Sequence, residues 1–338
     1  MRIVVSGHGV DAIDSPLRLQ VADPLRFLGH EVVAVAPTRA AIQWGLDRYS
    51  PEILAVIPSA GTPDRCEIRS LTAAAGTVAV CVHTGPTEPN GSTDLSELAD
   101  DLREYDLVTV PDRDTFERYS SLGTFRLSVI EPAVHPPALM DFVPSSRAGV
   151  LLLGDADPTN VDVVARLDQL DNVMIMGTGW VGLPLDVGII EPLPLPDRAS
   201  LFAGVNLLVE LETSLSHQSA IRLSHWELGL TSSVYEAAVV GTPSLVQARP
   251  AVKHVFTPGD EIFVYESMND LPHLVPLLVA DKKEARKVGE GAWSRVTAEH
   301  TWAQRWRSFL EPWVIEPEID RNEEVQYRSQ TKSLSKAS

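Results

Sequence analysis

Twelve short runs rich in β-branched residues, in two sets of six, constrain this chain more than any other feature of it. The first set is RIVVS (2–6), EVVAVA (31–36), ILAVI (53–57), TVAVCV (77–82), DLVTV (106–110) and RLSVI (126–130). Each run is nearly continuous in apolar residues, as strands covered on both faces are. The stretches between them show helical spacing, as in Leu17, Val21, Leu25 and Leu28, or Leu95, Leu98 and Leu102. Strand and helix in alternation predict an α/β fold with a doubly wound parallel sheet. After the proline-rich EPAVHPPALMDFVPSSR (131–147) the pattern restarts with GVLLLG (149–154), NVMIM (172–176), DVGII (186–190), VNLLVEL (205–211), PSLVQ (243–247) and EIFVY (261–265).

The economical architecture is two Rossmann-like domains facing a central cleft, residues 1–140 and 141–300, with ligand expected at the carboxyl ends of the strands. A long helical segment follows over Asp270 to Thr297 with a break near Asp281, and another over Trp302 to Trp313. Thr301 and Gln304 form a candidate capping box at the start of the latter. Residues 301–316 are assigned to a terminal helix, and the polar stretch 317–338 to a disordered tail.

The 338 residues carry a formal net charge of -18, which opposes a nucleic-acid or anionic-membrane footprint, because such footprints need clustered Lys and Arg. The two cysteines, Cys66 and Cys81, have neither metal-ligand nor redox spacing, which fits a reducing cytosol. The amino-terminal apolar run is too short for a signal peptide, and no stretch approaches the roughly 20 apolar residues of a spanning helix, so a cytoplasmic protein without membrane insertion is expected. Two Asp-x-Asp triplets, 112–114 and 155–157, read as loop-to-helix caps in so acidic a chain, and no metal site is assigned.

Candidate site residues cluster after strands. Gly7, His8 and Gly9 follow the first run, where glycines permit a tight turn and a close ligand; the spacing lacks a dinucleotide fingerprint. His83 follows the fourth, as a candidate hydrogen-bonding or proton-accepting group. In GTGW (177–180), Trp180 offers a flat face for a base or a core side chain. Arg249, Lys253 and His254 follow the strand 243–247 and suit a diphosphate, with Arg222 as a further candidate. In LTSSVYEAAVVGTPSL (230–245), Ser232 and Ser233 open a helix whose free N–H groups suit phosphate oxygens. Ser233 and Glu236 have the spacing of a capping box. Gly241, Thr242 and Pro243 read as a helix stop, part of the scaffold.

The ordered set SSVYEAAVVGTPSLVQ, GDEIFVYESMNDL and EHTWAQRW, preceded by GVLLLGDAD, MIMGTGW and LFAGVNLLVEL, resembles the carboxyl-terminal half of the CgeB-like (spore maturation protein) glycosyltransferases, a branch similar to the group-one enzymes. The resemblance covers 149 to about 312. It implies a GT-B fold in which the first domain binds an acceptor, the second a nucleotide diphosphate sugar, and the final helix crosses back. It further implies a metal-independent, retaining transfer of a hexosyl or hexosaminyl group to a hydroxyl, with the donor as substrate and no cofactor. Glu236 then accepts from ribose hydroxyls, and Gly7 to Gly9 line the cleft near the sugar. The first glutamate of the Glu-x7-Glu pattern found in related retaining enzymes is here Leu228, with Glu227 one residue out of register. That departure favours one alternative, a degenerate protein that binds a nucleotide sugar or a partner without turnover; a sugar-nucleotide epimerase, which shares the fold, is another.

Overall fold

The computed structural model of the chain describes residues 1–12, 15–83, 102–111, 113–121, 123, 126–136, 146–167, 169–191, 193–211 and 230–313. All twelve runs form strands: β1 (Arg2–Ser6), β2 (Glu31–Val35), β3 (Ile53–Val56), β4 (Val78–Val82), β5 (Leu107–Val110), β6 (Leu127–Val129), β7 (Val150–Leu153), β8 (Val173–Met176), β9 (Gly188–Ile190), β10 (Leu207–Glu210), β11 (Ser244–Gln247) and β12 (Phe263–Tyr265). The described α-helices are α1 (Asp23–Phe27), α2 (Arg39–Tyr49), α3 (Arg65–Ala75), α4 (Arg113–Ser120), α5 (Pro158–Leu167), α6 (Leu195–Gly204), α7 (Ser232–Val239), α8 (Pro250–Val255), α9 (Leu271–Ala280), α10 (Lys282–Glu299) and α11 (Trp302–Leu310), with a π-helical turn over Leu17–Ala22 leading into α1. The break near Asp281 is real: its carboxylate caps α10 by accepting from the Glu284 amide at 3.0 Å.

The strands make two six-stranded parallel sheets, ordered β2-β1-β3-β4-β5-β6 and β12-β11-β10-β7-β8-β9. Alternate side chains of each strand enter different cores, which is why the runs are apolar throughout. Ile3 and Val5 pack with Leu17, Val21 and Leu25 on one face. Val4 packs with Ile42, Leu46 and Ile68 on the other. In the second sheet, Leu152 and Val209 join Val163 and Leu167 of α5, while Leu151 and Leu208 join Phe202 of α6 and Ala237 of α7. A sheet clad with helices on both sides follows in each case.

Each strand order reverses direction once, between β1 and β3 in the first sheet and between β7 and β10 in the second, and such reversals open a crevice at the strands' carboxyl ends. At the first reversal a Cβ on Gly7 would meet Leu17 Cδ1 at 3.1 Å and Ile57 Cβ at 3.2 Å, so the chain turns tightly there only without a side chain. Gly9 follows at φ +74°, the left-handed region.

The terminal helix α11 packs on the first sheet. Trp302, Trp306 and Leu310 are buried among Ile3, Leu25 and Val80, and the Trp306 indole donates to Gln20 O at 2.6 Å. The Thr301–Gln304 capping box forms as the sequence predicts. Beside it the outbound chain is clipped to the returning one: Trp302 N donates to Val134 O at 2.8 Å, and Val134 N to His300 O at 3.2 Å.

Candidate functional site at the switch point of the second sheet

At the carboxyl end of β7, Asp155 Oδ1 accepts from both the amide and the hydroxyl of Thr178, each at 2.8 Å, tying together the loops after β7 and β8. Asp157 Oδ1 accepts from the Asn160 amide at 2.9 Å and so caps α5, in keeping with the reading of this triplet as a cap. Of the other triplet, Asp112 lies outside the described residues. Among the described residues, no group of three or more His, Cys, Asp or Glu side chains could hold a metal, and no helix is long and apolar enough to cross a membrane.

Trp180 does not present a ring to ligand. It is fully buried in the core beneath β7, and its indole N–H donates to Gly154 O at 2.7 Å. The close approach of Gly177 to Gly154 O draws the turn inward, because any Cβ on Gly177 would collide with that carbonyl. The Trp180 expectation for a base platform is corrected accordingly: a large ring whose polar atom finds a backbone partner packs most favourably inside.

Helix α7 begins two residues earlier than a capping box on Ser233 requires. Its N-cap is Thr231, whose side chain accepts no hydrogen bond, so Glu236 is the fifth helical residue instead of the third. Val234 to Val239 are all buried, Glu236 included. The helix stops at Gly241, at φ +71°, while Arg147 donates to Val240 O (2.7 Å) and Gly241 O (2.6 Å), and Thr242 Oγ1 donates to Phe202 O at 2.7 Å. These contacts fix the Gly-Thr-Pro turn as scaffold. Ser232 at the opposite end is exposed and Ser233 half-buried.

The Glu236 carboxylate is held by a residue that sequence reading missed. Arg198, in the first turn or so of α6, donates Nε to Oε2 at 2.7 Å and Nη2 to Oε1 at 2.9 Å, and its Nη1 to Leu193 O at 3.0 Å. Burial pushes the Glu236 pKa up, and the Arg198 hydrogen bonds and charge pull it partly back. Nothing in the spacing of a lone arginine 38 residues upstream marks it as the partner.

A second ion pair closes the end of β10. Arg249 Nη2 meets Glu210 Oε2 at 2.7 Å, with the two side chains only 10% and 8% exposed. The Tyr265 hydroxyl donates to Glu210 O at 2.9 Å. Glu210 Oε1 and Arg249 Nε are buried without a hydrogen-bond partner. The expected basic cluster is therefore divided: Arg249 is committed to Glu210, whereas Lys253 and His254 stand exposed on α8. Arg222, Glu227 and Leu228 lie outside the described residues.

In the first domain, His8 is exposed between its glycines. His83 ends β4 and is buried, with Nε2 at 3.6 Å from Cys81 Sγ, its ring edge-on to Tyr119, and Nδ1 without a partner. Burial lowers its pKa to about 4, so the ring is neutral at physiological pH. These residues and those of α7 and α8 belong to different sheets, with no hydrogen bond or ion pair between the two groups among the described residues.

Residues 160–311 match the protein family described as Glycosyl transferase-like. No curated protein matches the chain in sequence. Among solved structures, a sucrose-phosphate synthase from Thermosynechococcus elongatus superposes with a TM-score of 0.61 at 13% identity, over 92% of this chain and 98% of that one. Anabaena HepE, solved with UDP and glucose, gives 0.62 at 11% identity over 93% and 99%. A glycosyltransferase from Rickettsia africae gives 0.62 at 11% over 92% and 97%. The two-sheet arrangement is thus the GT-B fold, and coverage is nearly complete in both directions.

Proposed function

We propose that the protein is a glycosyltransferase that takes a sugar from a nucleotide diphosphate donor and passes it to a hydroxyl acceptor. The observation that carries this reading is the glycosyl transferase-like match over residues 160–311, which includes Arg198, Glu210, Ser232, Ser233, Glu236, Arg249 and Lys253 on a GT-B framework. The UDP and glucose bound by Anabaena HepE support a donor of this chemical class. The likeness of 230–247 and its neighbours to the CgeB-like branch supports a place in that branch, with a retaining, metal-independent reaction in the cytoplasm.

In the reaction proposed, the anomeric C–O bond to phosphate breaks, a C–O bond to the acceptor oxygen forms, and the hydroxyl proton leaves with the diphosphate. Glu236 takes the ribose hydroxyls with the lone pairs Arg198 leaves free. Charge that develops on the departing diphosphate meets the free N–H groups of Ser232 and Ser233 and the exposed ammonium of Lys253. Arg249, tied to Glu210, acts on the diphosphate only if that pair opens. Gly7, His8 and Gly9 line the cleft near the transferred sugar, and His83 faces the sugar or the acceptor hydroxyl. Neutral His83 serves there as a hydrogen-bonding group.

The test is calorimetric titration with UDP, GDP and ADP and their glucose conjugates, followed by assay of free nucleotide diphosphate with candidate acceptors. Nucleotide release that depends on an acceptor supports the transferase. Binding without release favours a catalytically degenerate protein, interconversion of the donor without acceptor an epimerase, and failure to bind any of them removes the reading.

A further inference from the structure

The two buried carboxylate–guanidinium pairs of the second domain are built differently, and the difference bears on Glu236. The Glu210–Arg249 pair makes a single end-on contact, with one acceptor and one donor left over. In the Glu236–Arg198 pair the guanidinium edge lies along the carboxylate, one N–H to each oxygen. A carboxylate oxygen has two lone pairs, so this fork consumes half of the acceptor capacity and leaves one lone pair on each oxygen. Two acceptor sites side by side match a vicinal diol.

The fork is itself anchored. The third guanidinium nitrogen donates to Leu193 O in the segment that leads into α6, and Arg198 and Glu236 sit on neighbouring helices that pack on the same face of the sheet. Both helices follow parallel strands and so begin at the carboxyl edge, where the crevice opens. The side chains are 25% and 9% exposed, and the Arg198 hydrogen bonds and charge offset part of the burial that pushes the Glu236 pKa up. A lysine in place of Arg198 has neither the planar fork nor the third anchor.

We infer that Arg198 is a positioning residue for ribonucleotide recognition, acting through Glu236 by fixing the carboxylate so that its two remaining acceptor sites face the 2′- and 3′-hydroxyls of the donor's ribose. This rests on the functional reading above, in which Glu236 meets the ribose. Arg198 itself needs no contact with ligand. Its signature is therefore selectivity for ribose over deoxyribose, which a purely structural role leaves untouched.

The experiment measures the affinity of UDP, GDP and ADP, each beside its 2′-deoxy form, for the wild type, Arg198→Lys, Arg198→Gln, Glu236→Gln and the double variant Arg198→Gln/Glu236→Gln, with circular dichroism to verify folding. For the nucleotide that binds, the wild type should prefer the ribose form by about tenfold or more, the effect of losing a hydrogen bond to a charged group. Each single variant should bring that ratio to about twofold or less, and the double variant should lower it no further. Arg198→Lys serves if Arg198→Gln fails to fold, since it keeps the charge that neutralises Glu236. A folded Arg198 variant with the wild-type ratio overturns the positioning role and leaves the functional reading standing. A wild type that binds none of the three nucleotides overturns both.

Discussion

Replacing Arg249 by Met should destabilise the protein severely, and replacing Glu210 by Met as well should restore most of the loss. The pair is 10% and 8% exposed, so solvent screens it little. Removing the guanidinium leaves a buried carboxylate with no partner for either oxygen, since Oε1 has none already, and the cost of breaking such a pair from one side is about 3–5 kcal/mol. Removing both charges changes the sign of the comparison. The wild-type pair leaves Oε1 and Arg249 Nε unmatched, at about 1–3 kcal/mol each, so two methionines of similar volume should come within about 1 kcal/mol of wild type or exceed it. Urea unfolding at fixed pH compares the single variant, the double variant and the wild type. If Arg249→Met alone unfolds at the wild-type midpoint, the buried pair is not the constraint described, and Arg249 is free to serve a ligand directly.

Three further outcomes are expected. His83, His135 and His300 all have pKa values lowered to about 4, chiefly by burial, against 6.5 unfolded. The unfolded chain thus binds protons first, and stability present above pH 6.5 drains as pH falls from there through about 4, at up to about 1.4 kcal/mol per pH unit for each proton taken up. The urea midpoint followed from pH 7 to 4 should show this, and His83→Leu should flatten the slope by one proton; an unchanged slope would separate His83 from acid unfolding. Trp180→Phe should cost about 2–4 kcal/mol, from an unsatisfied Gly154 carbonyl and a cavity, while nucleotide affinity of the folded variant stays as it was. A loss of affinity without loss of stability would return Trp180 to the ligand.

The sheets were legible because burial on both faces forces each strand to be apolar throughout, so RIVVS and its eleven counterparts stand out without any knowledge of their neighbours. Strand ends fell within a residue or two: DVGII (186–190) contracts to Gly188–Ile190 because the edge strand β9 has only one neighbour to bond. Site chemistry was less legible. Glu236 stands out in the sequence as a candidate, but its partner does not, because pairing between Arg198 and Glu236 depends on how two helices meet and not on any local period. Glu210 was read as part of an apolar strand run, and only the fold turns Arg249 onto it. Trp180 shows the same limit from the other direction, since GTGW reads as a surface turn until Gly154 O is placed above the indole.

The clasp between the terminal helix and the first sheet has a consequence for how the chain is made. Trp302, Trp306 and Leu310 complete a hydrophobic core whose other buried members, Ile3 to Ala133, leave the ribosome long before them. At synthesis rates of about 5–20 residues per second, that interior waits on the order of ten seconds for its last pieces. A nascent chain in that interval exposes Leu17, Val21 and Leu25 to whatever chaperone is nearby, and a clone that ends at His300 never leaves that condition.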